Sequence, residues 1–120
     1  MAKLQLKVAS TNVTVYLFIQ DSSLTTGAGL TGLVYNSASM TASYCLPLAA
    51  RSAITLATQT TTGAHSDGGF VEVDATNMPG VYRFDLPDAA VASGRSVVVY
   101  LHGATNQAQT VLEIELTAND

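Results

Sequence analysis

The sequence predicts an all-β protein: a single immunoglobulin-like antiparallel β-sandwich of about eight or nine strands with one short helical connector. Three observations predict it. Apolar and polar residues alternate with period two through most of the chain, the spacing of a half-buried strand. The alternating runs are short and separated by Gly, Asn, Ser, Asp and Pro, residues that suit turns. The 120 residues also make one ordinary domain. A chain of that size buries about two thirds of the surface it exposes when unfolded, and needs no disulfide or metal to fold.

Taken in order, Leu4, Leu6 and Val8 share one face of a first strand, with Lys3, Gln5 and Lys7 on the other. Val13, Val15, Leu17 and Ile19 alternate with Thr14, Tyr16, Phe18 and Gln20. Because Tyr16 and Phe18 are also large and apolar, this second strand is expected to be covered on both sides. Leu33 and Tyr35 flank Val34 in an expected third. Tyr44, Leu46 and Leu48 predict a fourth, which Pro47 places at a sheet edge or bulge because proline cannot donate to a ladder. Ile54 and Leu56 mark a short fifth. Further on, Val71 and Val73 alternate with Phe70, Glu72 and Asp74, and Tyr82, Phe84 and Leu86 alternate with Val81, Arg83 and Asp85. The β-branched run 97–101, ended by His102-Gly103, reads as a central strand. Leu112, Ile114 and Leu116 face inward, Glu113 and Glu115 outward. The helical connector is expected at 87–94, with Pro87 early and Gly94 just past its end. Residues 1–10 form an N-terminal strand or arm and residues 11–120 the sandwich domain. The loops 22–29 and 58–69, rich in Thr, Gly and Ser, are expected to be mobile or to contact partners.

Composition narrows the function. Hydrophobic residues are 48% and charged residues 12% of the chain, which excludes disorder. A net charge of -4, with five Lys and Arg and no two of them adjacent, excludes a nucleic-acid partner, which requires clustered basic residues. No apolar run approaches the ~18 residues that cross a membrane, and residues 1–7 alternate where a signal peptide would be continuously apolar. The one cysteine, Cys45, excludes an intramolecular disulfide and a Cys-based zinc cluster, and reads as a small buried hydrophobe. A mean hydropathy of +0.27 with so few charges implies a neutral surface, more comfortable inside an assembly than alone in water.

Each constellation with residue types suited to chemistry has a blander reading. His65-Ser66-Asp67 contains the residue types of a hydrolase triad, but neighbours in an extended loop point different ways, so a polar turn is expected. His65, Asp67, Glu72 and Asp74 could offer ligands to Ca²⁺, yet their spacing matches no standard loop, and a solvated strand face is the preferred reading. Glu113 and Glu115 resemble a glycosidase carboxylate pair, without the aromatic cleft such enzymes use. Gly27-Ala28-Gly29-Leu30-Thr31-Gly32 lacks the following helix of a phosphate loop, so its glycines are expected to permit a tight reversal. Asn12-Val13-Thr14 fits a glycosylation sequon without a secretion signal. His102 reads as a strand terminus. No catalytic residue, metal ligand or cofactor is assigned, and the chain is not read as an enzyme.

The stretch 74–116, "DATNMPGVYRFDLPDAAVASGRSVVVYLHGATNQAQTVLEIEL", together with 21–44, "DSSLTTGAGLTGLVYNSASMTASY", resembles small β-sandwich modules of tailed-bacteriophage virions. Such modules serve as head decoration, baseplate or tail-fibre proteins. The resemblance covers most of the chain and carries no catalytic residue across. It implies a structural protein, foremost a decoration (cement) protein on the outer capsid surface, assembled in the host bacterial cytoplasm. That protein, itself a homotrimer, would bridge subunits of the major capsid protein. The alternative is a baseplate or tail-fibre adapter or receptor-binding module. The expected partner contacts are Lys3, Leu4, Leu6 and Val8, on a terminal strand able to join a neighbour's open sheet edge, and Leu24, Thr25 and Thr26 in the first long loop. Pro79-Gly80 is expected to form a turn, after which Tyr82 buries its ring and bonds a loop backbone through its hydroxyl, much like a tyrosine corner.

Overall fold

Among the described residues eight strands form, and the side that each buries follows its alternation. In order they are β1 (Ala2–Lys7), β2 (Thr14–Phe18), β3 (Thr41–Cys45), β4 (Ser52–Ile54), β5 (Phe70–Asp74), β6 (Met78–Asp85), β7 (Ser96–His102) and β8 (Thr110–Thr117). The computed structural model describes residues 2–117. A five-stranded sheet of order β1-β8-β7-β3-β4 packs on a three-stranded sheet of order β2-β6-β5, an all-β sandwich. Val97, Val99, Leu101 and Ile114 from the first sheet are sealed in one core with Leu17, Tyr82, Phe84 and Phe70 from the second. Each such side chain contributes about 1.5–3 kcal/mol by leaving water. The Phe70 and Tyr82 rings stack at 5.0 Å. β7, buried on its inner face and flanked on both sides, is the central strand its composition predicts.

Several expectations need correction. The sandwich is not wholly antiparallel: β1 runs parallel to β8, pairing from Ala2 opposite Leu112 to Lys7 opposite Thr117. The strand expected at Leu33 to Tyr35 is a loop, in which Leu33 is buried and Val34 and Tyr35 are exposed. The strand expected at Tyr44 to Leu48 starts earlier and stops at Cys45, before Pro47, and it lies inside its sheet between β7 and β4. Proline thus terminates that strand instead of marking an edge. Leu48 then turns with φ 59 and stands fully exposed. β4 ends at Ile54, short of Leu56. The helical connector is a single 3₁₀ turn, Asp88–Val91, which buries Ala90 and Val91.

The reversal between β5 and β6 falls on residues 75–77, where the Asp74 carboxylate accepts the Thr76 and Asn77 N–H groups. These bonds hold the Asp74 carboxyl below its ordinary value, the Asn77 backbone contributing most. Pro79 and Gly80 lie inside β6 instead, where the β5–β6 register shifts between Glu72 and Asp74. Gly80 has φ +90, and a Cβ there would stand 2.6 Å from the Gly29 Cα. The 27–32 loop therefore packs directly on this irregularity, and glycine is required on both sides of the contact.

Candidate functional site

Two regions of the sandwich hold more than packing, and both lie on the outer side of the three-stranded sheet. Residues that alternate with the core positions of β2 and β6 point there: Tyr16 and Phe18 from β2, and Val81, Arg83 and Asp85 from β6. In the ladder Tyr16 is opposite Arg83 and Phe18 opposite Val81.

Half of this face is covered. The loop 58–69 folds back over Arg83 and Asp85, leaving Arg83 5% and Asp85 0% exposed. Arg83 Nε donates to Asp85 Oδ1 at 3.0 Å, and Nη1 donates to the Thr60 carbonyl at 2.9 Å. Asp85 Oδ1 also accepts the Thr14 hydroxyl at 2.8 Å. Its Oδ2 accepts Gln59 Nε2 at 2.7 Å and the Ser66 N–H at 3.0 Å. Burial pushes the Asp85 carboxyl upward, but donation from Gln59, Ser66, Thr14 and Arg83 outweighs it and holds the group below its ordinary value. The backbone joins in, with the Gly68 N–H bonding the Asp85 carbonyl at 2.9 Å. The loop expected to be mobile is thus tied down at several points.

Gly69 makes the close approach possible. A Cβ there would lie 2.7 Å from Asp85 Oδ2 and 3.1 Å from the Ser66 carbonyl oxygen. Gly69→Ala is expected to destabilise the fold by about 1–3 kcal/mol, as overpacking of a filled site does. Chemical denaturation checks this, and an unchanged midpoint would show that the loop shifts freely.

The other half is open, and here the expectation that β2 is covered on both sides fails. Tyr16 is 62% and Phe18 52% exposed. Beside them runs a groove of about 420 Å³, lined by Tyr16, Leu17, Phe18 and Gln20 on one wall and by residues 109–112 on the other. It lies where β2, an edge strand of its sheet, meets the start of β8. The groove therefore combines aromatic surface with the edge of β2.

Of the sequence-predicted contacts, Leu4, Leu6 and Val8 are half-buried against the core of their own domain instead of standing free for a partner. Lys3 pairs opposite Glu113 through its backbone, and its side chain lies outside the described part of the structure. Leu24, Thr25 and Thr26 are exposed in their loop, Leu24 to 48%. Tyr82 is fully buried; its hydroxyl donates to the Leu30 carbonyl at 2.7 Å and accepts the Leu33 N–H at 3.2 Å. Cys45 is half-buried, its thiol 3.3 Å from the carbonyl oxygens of Leu46 and Ala49.

The carboxylates weighed for chemistry do not gather. Glu72 turns inward, where its Oε1 accepts the Gly32 N–H at 3.2 Å and its Oε2 is buried without a partner. Asp74 belongs to its own turn. Glu113 is half-buried and Glu115 exposed on β8. His102 ends β7 and tilts against Tyr100 at 5.0 Å between ring centres. The buried Arg83–Asp85 pair escaped the sequence reading because a charged residue at an alternate strand position looks solvated. Only the surplus of glycine and small polar residues in 58–69, suited to lying flat on a sheet, hinted at a cover.

No protein-family model matches the chain, and neither a curated protein nor a solved structure is significantly similar to it. Among the described residues, no helix is long and apolar enough to cross a membrane.

Proposed function

We propose that the chain is a structural module of a tailed-bacteriophage virion, a head decoration protein that binds major capsid subunits on the outer shell as a homotrimer. The observation that supports this reading most is the open aromatic face. A protein with 12% charged residues leaves Tyr16 and Phe18 largely in water on an edge strand, the composition of a contact surface rather than of a solvated one. The sheet order β2-β6-β5 against β8-β7-β3-β4 supports the immunoglobulin-like part of the reading, in which strands B, E and D face G, F, C and C′. The contact surface moves accordingly from the first strand, which is docked, to the face of β2 and the exposed loop at Leu24.

The test is binding of purified protein to mature phage shells that lack it, with the copy number counted by cryo-electron microscopy. Tyr16→Ser and Phe18→Ser are expected to weaken shell binding about 10- to 100-fold each, as loss of an aromatic anchor does. Because both side chains are exposed, folding stability should change by less than about 1 kcal/mol. Undiminished shell binding by both variants would move the contact elsewhere. Failure of the parent protein to bind shells, with capture by tail structures instead, would favour the baseplate or tail-fibre reading.

A further inference from the structure

At the far end of β6 the loop 58–69 and the 3₁₀ turn bring three ligand-bearing side chains together. His65 comes from the loop 58–69, as does Asp67, and Asp88 opens the 3₁₀ turn. His65 Nε2 lies 2.9 Å from the Leu86 carbonyl oxygen. A carbonyl only accepts, so Nε2 carries the hydrogen, and the neutral ring then presents its lone pair at Nδ1. That nitrogen faces Asp67 Oδ1 at 3.9 Å, too far for a hydrogen bond, although the His65 side chain is only 9% exposed. One ligand atom from each of His65, Asp67 and Asp88 lies within 4.8 Å of the others.

Both carboxylates are also held by backbone N–H groups. Asp67 Oδ1 accepts the Asp88 N–H at 3.3 Å, and Asp88 Oδ1 accepts the Asn12 N–H at 2.9 Å. What remains turned inward is one imidazole lone pair and carboxylate oxygens, the one side-chain N–H of the three residues being directed at the Leu86 carbonyl. Acceptors held together in this way are satisfied by a cation. The histidine's bond to a backbone carbonyl is also the outer contact that metal-binding histidines characteristically make, since it fixes the tautomer and aims the ring.

We propose that His65 Nδ1, Asp67 and Asp88 form a binding site for a divalent transition-metal ion of the zinc class, with water in the remaining position. An imidazole ligand selects this class over calcium and magnesium, which take oxygen. In a tetrahedral zinc site, ligand atoms about 2.1 Å from the metal stand about 3.4 Å apart, so a pair separated by up to 4.8 Å closes by about 1 Å on binding. Asp67, whose side chain is 57% exposed, has the freedom to do so. The set differs from the sequence-level grouping of His65, Asp67, Glu72 and Asp74: the fold keeps the first two, sends the others elsewhere and supplies Asp88. Bound metal would clamp the loop 58–69 to the 3₁₀ turn and to the segment before β2, stabilising the cover over Asp85.

The experiment is calorimetric titration of the tag-free full chain with zinc chloride at neutral pH, alongside long-range nitrogen NMR of the histidine rings. One equivalent should bind with micromolar affinity, the His65 Nδ1 resonance should move, and the melting temperature should rise, while calcium and magnesium do none of these. His65→Gln keeps a donor for the Leu86 carbonyl but removes the ligand nitrogen, and Asp67→Asn removes a charge at an exposed position. Each should weaken zinc binding at least tenfold in a folded protein. Absence of saturable binding, or equal binding by both variants as expected of adventitious contact at exposed His102, would overturn the site. So would a doubly protonated His65 ring, paired with Asp67 and indifferent to zinc.

Discussion

Asp85→Ala is expected to lower folding stability by about 3–5 kcal/mol, the cost of leaving one partner of a buried ion pair uncompensated. Against a total stability of roughly 5–15 kcal/mol for a domain, that is a large fraction. The size follows from what Asp85 holds. Its two oxygens receive donors from Thr14, Gln59, Ser66 and Arg83, and in its absence the Arg83 guanidinium, 5% exposed, keeps only the Thr60 carbonyl. Asp85→Asn should also destabilise, because its amide NH₂ must face donors at one position or the other. The double change Arg83→Met with Asp85→Leu removes charge from both sides and should recover much of the loss. Urea unfolding of the four proteins decides this. An Asp85→Ala midpoint close to the parent's would mean that water reaches Arg83 and that the loop is not a seal.

The same carboxylate sets an acid limit. Its value in the folded protein lies below its ordinary one, so its contribution to stability is fully present above the unfolded value of about 3.9. That contribution is lost as pH falls through the folded value. Stability measured between neutral pH and pH ~3 should therefore fall more steeply for the parent than for the Arg83→Met, Asp85→Leu protein.

Tyr82→Phe, the second large effect, is expected to cost about 1–3 kcal/mol while leaving ring packing on Phe70 intact. The loss comes from the buried hydroxyl alone, which joins β6 to the Leu30 carbonyl and the Leu33 N–H. Burial pushes this phenol up to about 12; the Leu33 N–H opposes that rise and the Glu72 carboxylate adds to it. A raised folded value contributes stability that is present below pH ~10 and lost as pH rises through about 12. Tyrosinate absorbance of the parent should thus show one group ionising together with unfolding, and the Tyr82→Phe protein should lack that coupling. A variant as stable as the parent would show that the 30–33 loop is held by other contacts.

Much of this architecture is legible in the residues. Val97, Val99 and Leu101 specify an inward strand face whatever surrounds them, because period-two alternation of β-branched and leucine side chains has one good solution. Leu112, Ile114 and Leu116 do the same for β8, and the glycine- and asparagine-rich breaks between runs set where strands stop. The misreadings occur where a short apolar run is ambiguous. Leu33-Val34-Tyr35 has strand composition, but Leu33 is held by Tyr82 through its backbone, and the chain follows that anchor instead of a neighbouring strand. Glu72 looks solvated by type, yet the β5 register turns it to the Tyr82 side, where Gly32 meets it.

By itself, then, the sequence determined the all-β class, the strands that alternate cleanly and the core they share, because these depend on local periodicity. Only the tertiary structure decided what happens on the other side of the three-stranded sheet. Tyr16 and Phe18 are apolar and lie in water; Arg83 and Asp85 are charged and lie sealed. Hydrophobicity alone predicts the reverse. The difference is made by a loop from 58–69 that returns across β6 and not across β2, bringing Gln59 to Asp85 over 26 positions. The parallel docking of β1 on β8 joins opposite ends of the chain in the same way. Such long-range covering sets which face is left open to a partner, and no local pattern encodes it.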